Sequence, residues 1–173
     1  MKTLFLLRHA KSSWGDPALD DFDRPLNRRG RDEAPTVGRY LADHGLCPAF
    51  ILCSAAQRTR ETLSLVLPAL DGECAVAIER GLYEAGPDRL FARLRRIEPA
   101  HASVMMIGHN PGLAELAEDL VARGPDGAVE RMKTKFPTGA LAVIKLHIGM
   151  WEELAAGSGT LERFVVPAHE ARE

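Results

Sequence analysis

Near its start the chain reads Thr3-Leu4-Phe5-Leu6-Leu7-Arg8-His9. The five apolar residues do not alternate with polar ones, which is typical of a strand buried on both faces of a parallel sheet. The strand ends at a cation followed by an imidazole. In open α/β sheets, ligands bind just beyond the carboxyl ends of the strands. Arg8 and His9 therefore indicate an anion site, although a strand cap with a solvated Arg and a structural His has the same residues.

Further apolar runs alternate with amphipathic segments along the 173 residues. Strands are predicted at residues 3–7, 50–53, 75–78, 103–107, 140–147 and 160–166. Helices are predicted between them, and the clearest apolar stripe comprises Leu113, Leu116, Ala117, Leu120 and Val121. The pattern predicts one α/β domain over residues 1–173, a three-layer α/β/α sandwich around a mostly parallel sheet, with a frayed tail at residues 168–173.

Two segments leave alternatives open. A helix fits residues 28–43, and it begins either at Asn27, with a kink at Pro35, or later at Asp32. Residues 11–28 and 124–138 are predicted to be long loops, which are either functional or mobile. The second loop carries Arg131, Lys133 and Lys135, which either grip a second anionic group or face solvent.

Composition excludes several classes of function. The formal net charge of -2 argues against a nucleic-acid-binding or membrane-surface protein. The first apolar run is too short for a signal-peptide core. Cys47, Cys53 and Cys74 have no CxxC spacing, so we expect reduced, packed thiols and a cytoplasmic protein. No spacing typical of metal ligands is present, and no metal or cofactor is expected.

Two more strand ends carry candidate phosphate ligands. Ser54 and Gln57 have the spacing of a capping box, which places Arg58 one turn into a helix, near its positive end. A guanidinium there suits two phosphate oxygens, unless Arg58 is simply a solvated helix residue. His109 follows the strand at residues 103–107, with Asn110 as the expected N-cap of the next helix.

A carboxylate in the loop after the third strand is the candidate acid/base group. Glu84 lies in Gly81-Leu82-Tyr83-Glu84-Ala85. Its rivals are Asp88, interpreted as an N-cap, and Glu79, interpreted as exposed. Two Arg, two His and one Glu together suit phosphoryl transfer through a phosphohistidine, in which an imidazole attacks phosphorus and the cations neutralise its oxygens.

These segments resemble the histidine phosphatase superfamily, which has the phosphoglycerate mutase-like fold. Arg8-His9-Ala10, Ser54-x-x-x-Arg58-Thr59-x-Glu61-Thr62, Leu82-Tyr83-Glu84 and Gly108-His109 match its motifs in order and spacing. Lys11-Ser12-Ser13-Trp14 and Asp21-Phe22-Asp23-Arg24-Pro25-Leu26 resemble its compact SixA branch, the phosphohistidine phosphatases.

The resemblance implies roles for five residues. His9 would be the phosphorylated nucleophile, Arg8, Arg58 and His109 would bind the phosphoryl group, and Glu84 would donate a proton. Gly15 stands where several relatives have a phosphate-binding Asn, so Ser12 or Ser13 is expected to supply that contact.

The resemblance also implies an enzyme that dephosphorylates phosphohistidine on a signalling phosphotransfer protein and releases inorganic phosphate. A phosphomonoesterase acting on a small sugar or nucleotide phosphate is the alternative. A phosphoprotein-binding module without catalysis is a third hypothesis, and the presence of a nucleophile, both arginines and the second His speaks against it.

Overall fold

The computed structural model describes residues 1–167, which contain a seven-stranded sheet with helices on both faces. The strands are β1 (Lys2–Arg8), β2 (Phe50–Ser54), β3 (Ala75–Glu79), β4 (Ser103–Gly108), β5 (Val121–Arg123), β6 (Leu141–Leu146) and β7 (Gly159–Val165). The helices are α1 (Arg28–Asp43), α2 (Gln57–Val66), α3 (Pro87–Arg95), α4 (Gly112–Leu120) and α5 (Ala128–Thr134). The expected frayed tail at residues 168–173 lies outside the described residues.

The strand order across the sheet is β3-β2-β4-β1-β6-β7-β5. Strands β3, β2, β4 and β1 pair in parallel, and β6 runs antiparallel to both of its neighbours. Since β5 pairs with β7 in parallel, β6 is the one reversed strand among those described. The mostly parallel sheet is confirmed.

The first strand shows why its apolar residues do not alternate with polar ones. Leu4 and Leu6 pack in a core with residues of α3, α4 and α5. Phe5 and Leu7 face the opposite core, which contains residues of α1 and α2. Both faces of β1 are therefore covered, and the predicted three-layer α/β/α sandwich is confirmed.

Helix α1 takes the longer of its two possible forms. Oδ1 of Asn27 accepts a hydrogen bond from the Gly30 amide at 2.9 Å, so Asn27 is the N-cap and Pro35 lies inside the helix. Among the described residues, no helix has both the length and the apolar character needed to cross a membrane.

Two expectations for the middle of the chain are wrong. Val121 does not continue α4 but begins β5, because its backbone pairs with the distant strand β7. The segment at residues 124–138 is not one loop, since it contains α5. Ala128 and Met132 lie one turn apart and are both buried, so tertiary packing stabilises a helix that its short sequence signals only weakly.

Candidate active site

A pocket of about 480 Å³ lies where β1 and β4 end and α2 begins. Its lining includes Arg8, His9, Asp21, Arg58, Glu84 and His109. The four phosphate-site residues expected from strand ends are therefore brought together, as is the candidate acid.

Strand register explains why the two histidines meet. Arg8 is paired with Gly108 across the parallel strands β1 and β4, so the residues that follow them are also neighbours. The His9 amide donates to the Gly108 carbonyl at 3.1 Å. As a result, the ring centroids of His9 and His109 lie 5.4 Å apart.

His9 is buried and has a defined tautomer. Its Nδ1 lies 2.7 Å from the Ala10 carbonyl oxygen, and a carbonyl can only accept, so Nδ1 carries the proton. The lone pair is left on Nε2, the nitrogen that could attack an electrophile. Burial, and to a lesser extent the positive charges of Arg58 and Arg8, lower the pKa of His9 to about 3.

His109 is held by a residue of the adjacent strand. Its Nε2 lies 2.7 Å from Oγ of Ser54. Its Nδ1 is buried and has no hydrogen-bond partner among residues 1–167. Burial, and after it the positive charge of Arg58, lower the pKa of His109 to about 4, so this ring is also neutral near pH 7.

Two capping expectations around these residues are wrong. Ser54 is the last residue of β2, and Ala56 is the N-cap of α2, so Ser54 and Gln57 do not form a capping box. Asn110 does not cap α4, because the N-cap position is Pro111. The Asn110 side chain instead donates to the Phe136 carbonyl at 2.8 Å.

The two arginines of the pocket are anchored by different parts of the chain. Arg58 lies in the first turn of α2, and its Nη1 and Nη2 donate to the backbone oxygen and the carboxylate of Asp21 at 2.6 and 3.0 Å. Its Nε is buried and has no hydrogen-bond partner within the described part of the chain. Arg8 donates through Nη1 to the Phe136 carbonyl at 3.0 Å.

Asp21 is a central residue of the pocket that sequence reasoning did not single out. Besides Arg58, it accepts from Arg24 Nε at 3.0 Å and from the Tyr83 hydroxyl at 2.5 Å. Partial burial raises its pKa, but the hydrogen bonds from Tyr83 and Arg58 outweigh that effect and lower the pKa to about 2. Asp21 is therefore ionised at neutral pH. The motif Asp21 to Leu26 was the available signal.

Glu84 lies on the rim of the pocket with an exposed side chain. Its φ of 57° is the one positive value among the non-glycine residues described, a strained backbone conformation that is often found at functional sites. A Cβ at Gly112 would overlap the Ala85 carbonyl oxygen, so the glycine lets α4 begin against this loop.

Neither rival carboxylate lines the pocket. Glu79 forms two hydrogen bonds with Arg93, at 2.7 and 2.9 Å, and is partly buried rather than exposed. Asp88 lies in the first turn of α3, whose N-cap is Gly86, so the N-cap interpretation of Asp88 is wrong.

The two candidate serines differ in position. Ser12 lines the pocket, and its Oγ accepts from Arg24 Nη1 at 3.0 Å. Ser13 does not line the pocket, and its Oγ accepts from the Gly15 amide at 3.0 Å. The basic residues at positions 131–135 also lie apart from the pocket, since Lys133 and Lys135 line a neighbouring cavity.

The electrostatics of the pocket suit an anion. Four cationic side chains, Lys11, Arg8, Arg24 and Arg58, face two carboxylates, so the net charge of the lining is +2 with both imidazoles neutral. Cys53 is no competing nucleophile, because burial raises the pKa of its thiol to about 12. Among the described residues, no group of three or more metal-ligating side chains could hold a metal ion.

Comparison with known proteins agrees with this geometry. Residues 4–149 match the model of the histidine phosphatase superfamily (branch 1). An uncharacterized protein of Mycobacterium tuberculosis strain H37Rv is 36% identical over 163 residues, which cover 93% of this chain and 99% of that protein.

Two solved structures share the whole architecture. One, from Nakamurella multipartitia, has a TM-score of 0.84 at 27% identity and covers 96% of both chains. The other, from Agrobacterium tumefaciens, has a TM-score of 0.81 at 30% identity and covers 96% of this chain and 98% of that one. Both carry the provisional designation phosphohistidine phosphatase SixA. With a family match over most of its length and its sheet reproduced in these structures, the chain belongs to the histidine phosphatase superfamily, in its SixA-like branch.

Proposed function

We propose that this protein removes the phosphoryl group from phosphohistidine on a signalling phosphotransfer protein, with His9 as nucleophile. Nε2 of His9 forms a bond to phosphorus while the bond from phosphorus to the substrate imidazole breaks, and the electron pair stays on the departing nitrogen. Water then attacks the phosphorylated His9, releasing inorganic phosphate and the free imidazole. The tautomer of His9 supports this assignment, because its Nδ1–H bond to Ala10 leaves Nε2 unprotonated.

Charge neutralisation would come from the residues around His9. Arg8, Arg58 and His109 would contact the oxygens of the transferred group, and Ser12 is the candidate for an additional contact. The buried Nε of Arg58 and Nδ1 of His109 lack a partner in the described structure, so each has a hydrogen-bonding position available for a ligand. Fixed cations of this kind stabilise the charge of a phosphoryl transition state.

The state of Asp21 carries the choice of substrate. It is the carboxylate in contact with Arg58, and with a pKa of about 2 it has no proton to donate at neutral pH. An imidazole whose other nitrogen is protonated departs as a neutral ring, so no proton has to reach the breaking bond. A sugar or nucleotide alkoxide needs a positioned acid, and the candidate that remains, Glu84, is exposed on the rim.

The decisive experiment compares substrates and traps the intermediate. Histidine-phosphorylated phosphotransfer domains and a panel of sugar and nucleotide monophosphates are offered to wild-type enzyme and to the His9→Ala variant. We expect the highest kcat/KM for a phosphotransfer domain, and a ³²P label on wild-type enzyme that His9→Ala lacks. Higher kcat/KM for a metabolite would contradict the proposed substrate, and a labelled His9→Ala enzyme would contradict the nucleophile.

A further inference from the structure

Trp14 is a solvent-exposed aromatic residue on the rim of the candidate active site. Its side chain is 74% exposed, yet it lines the same pocket as His9 and Arg58. A tryptophan in water leaves a large apolar surface unburied. Tryptophan is also enriched among the residues that dominate binding to other proteins. Its position thus suggests contact with something larger than a phosphate group.

The indole is held in place although it is exposed. Cζ of Arg24 lies 3.5 Å from the centroid of the Trp14 ring. Arg24 is itself buried and fixed, since it donates to Asp21 at 3.0 Å and to Ser12 at 3.0 Å. The Ser13 amide, next to Trp14, donates to the Pro25 carbonyl at 2.8 Å. A ligand that binds this indole therefore loses less free energy to side-chain ordering than it would on a mobile residue.

A series of charged contacts connects the rim to the floor of the pocket. Arg24 lies against Trp14 on one side and forms an ion pair with Asp21 on the other, and Asp21 forms an ion pair with Arg58 at 3.0 Å. A phosphoryl group next to Arg58 therefore has its carrier molecule directed toward the rim where Trp14 lies. A small phosphoester ends inside the pocket, whereas a protein brings the surface around its phosphorylated residue against the rim.

We propose that Trp14 is a docking residue for the protein that carries the phosphohistidine, and that it packs against an apolar side chain beside the phosphorylated histidine. This inference rests on the proposed function. The base of a nucleotide is the other planar group that an indole could stack on. The ionised Asp21 and the exposed Glu84 favour the imidazole leaving group of a phosphoprotein over the alkoxide of a nucleotide.

The test measures kcat/KM on three substrates: a phosphotransfer domain phosphorylated with phosphoramidate, free phosphohistidine, and adenosine 5′-monophosphate. Free phosphohistidine has the same leaving group without the protein surface. For Trp14→Ala we expect the ratio of kcat/KM for the protein to kcat/KM for free phosphohistidine to fall about tenfold, the effect of losing one aromatic contact. Trp14→Phe should keep most of the ratio. Leu19→Ala is the matched control, because Leu19 is 39% exposed in the same loop but does not line the pocket.

Each outcome separates the two proposals. If the wild type dephosphorylates the protein and Trp14→Ala changes the ratio less than threefold, the docking role is overturned and the proposed function stands. A larger loss on adenosine 5′-monophosphate than on the protein overturns the docking role in favour of a nucleotide. A wild-type enzyme inactive on the phosphorylated protein overturns both.

Discussion

Nε2 of His109 lies 2.7 Å from Oγ of Ser54, although the two residues are 55 positions apart in the sequence. The parallel pairing of β2 with β4 brings the ends of these strands side by side. Ser54 is fully buried, so its hydroxyl group has a fixed position in the core and orients the imidazole.

Ser54→Ala should therefore lower kcat about tenfold, because His109 loses the partner that orients it and Nε2 is left buried without a hydrogen bond. Steady-state kinetics on a histidine-phosphorylated phosphotransfer domain measure the effect. Ser64→Ala serves as the control, since Ser64 is exposed on α2 and bonds only the Glu61 carbonyl among the hydrogen bonds described. An unchanged kcat in Ser54→Ala would show that His109 needs no such support.

Asp21→Ala should weaken phosphate binding by disordering the guanidinium groups of Arg58 and Arg24, both of which lose an ionic partner. We expect the inhibition constant of inorganic phosphate to rise about tenfold, as for loss of a partly buried ion pair. Asp20→Ala is the matched control, because Asp20 is exposed in the same segment. Tighter phosphate binding in Asp21→Ala would mean instead that the carboxylate mainly repels the anion.

Glu84→Gln separates the two kinds of leaving group. A general acid contributes roughly 10²- to 10⁴-fold when the leaving group is an alkoxide, and far less when it is an imidazole. If Glu84 is the acid, the variant should lose about 100-fold in kcat on an alkyl phosphate while losing only a few-fold on phosphohistidine. Equal losses on both substrates would indicate that Glu84 acts in positioning rather than in proton transfer.

The two site histidines should titrate at unusually low pH. Burial lowers the pKa of His9 to about 3 and that of His109 to about 4. In an NMR titration, with resonances assigned by comparison with His9→Ala and His109→Ala, both rings should keep the chemical shifts of neutral imidazole down to about pH 5, well below the ordinary midpoint near 6.5. A midpoint near 6.5 for either ring would contradict the buried site.

The same shifts make folding stability depend on pH. The folded pKa of each histidine is lower than the unfolded one, so the unfolded chain binds protons below about pH 6.5 while the folded chain does not until about pH 4. The free energy of unfolding should therefore fall as pH decreases through this window. Urea unfolding at several pH values measures the slope, which should be smaller in His9→Ala. An equal slope in that variant would assign it to other groups.

Local sequence signals were sufficient for the elements that carry the site. The apolar runs that end at Leu7, Cys53 and Ile107 predicted three strands, and a parallel sheet places their carboxyl ends at one edge. Because chemistry-bearing residues follow each of these runs within a few positions, the amino-acid sequence alone was enough to group Arg8, His9, Arg58 and His109.

Features that depend on distant partners were not predictable in this way. Val121 has the residue type and spacing to extend α4, and it forms a strand because β7, about forty residues later, offers a pairing edge. Ser54 matched a helix cap by local spacing, but the register of β2 directs its hydroxyl group to His109. Local patterns contain no information about such neighbours.

The sequence by itself determined the order of strands and helices, the burial of β1 on both faces, and the residues placed after the strand ends, because these depend on hydrophobic periodicity along the chain. Only the tertiary structure decided which nitrogen of His9 is protonated, which residue orients His109, and that Asp21 joins Arg24, Arg58 and Tyr83. Those properties come from burial and from hydrogen bonds between residues far apart in sequence, and they exist only once the chain has folded.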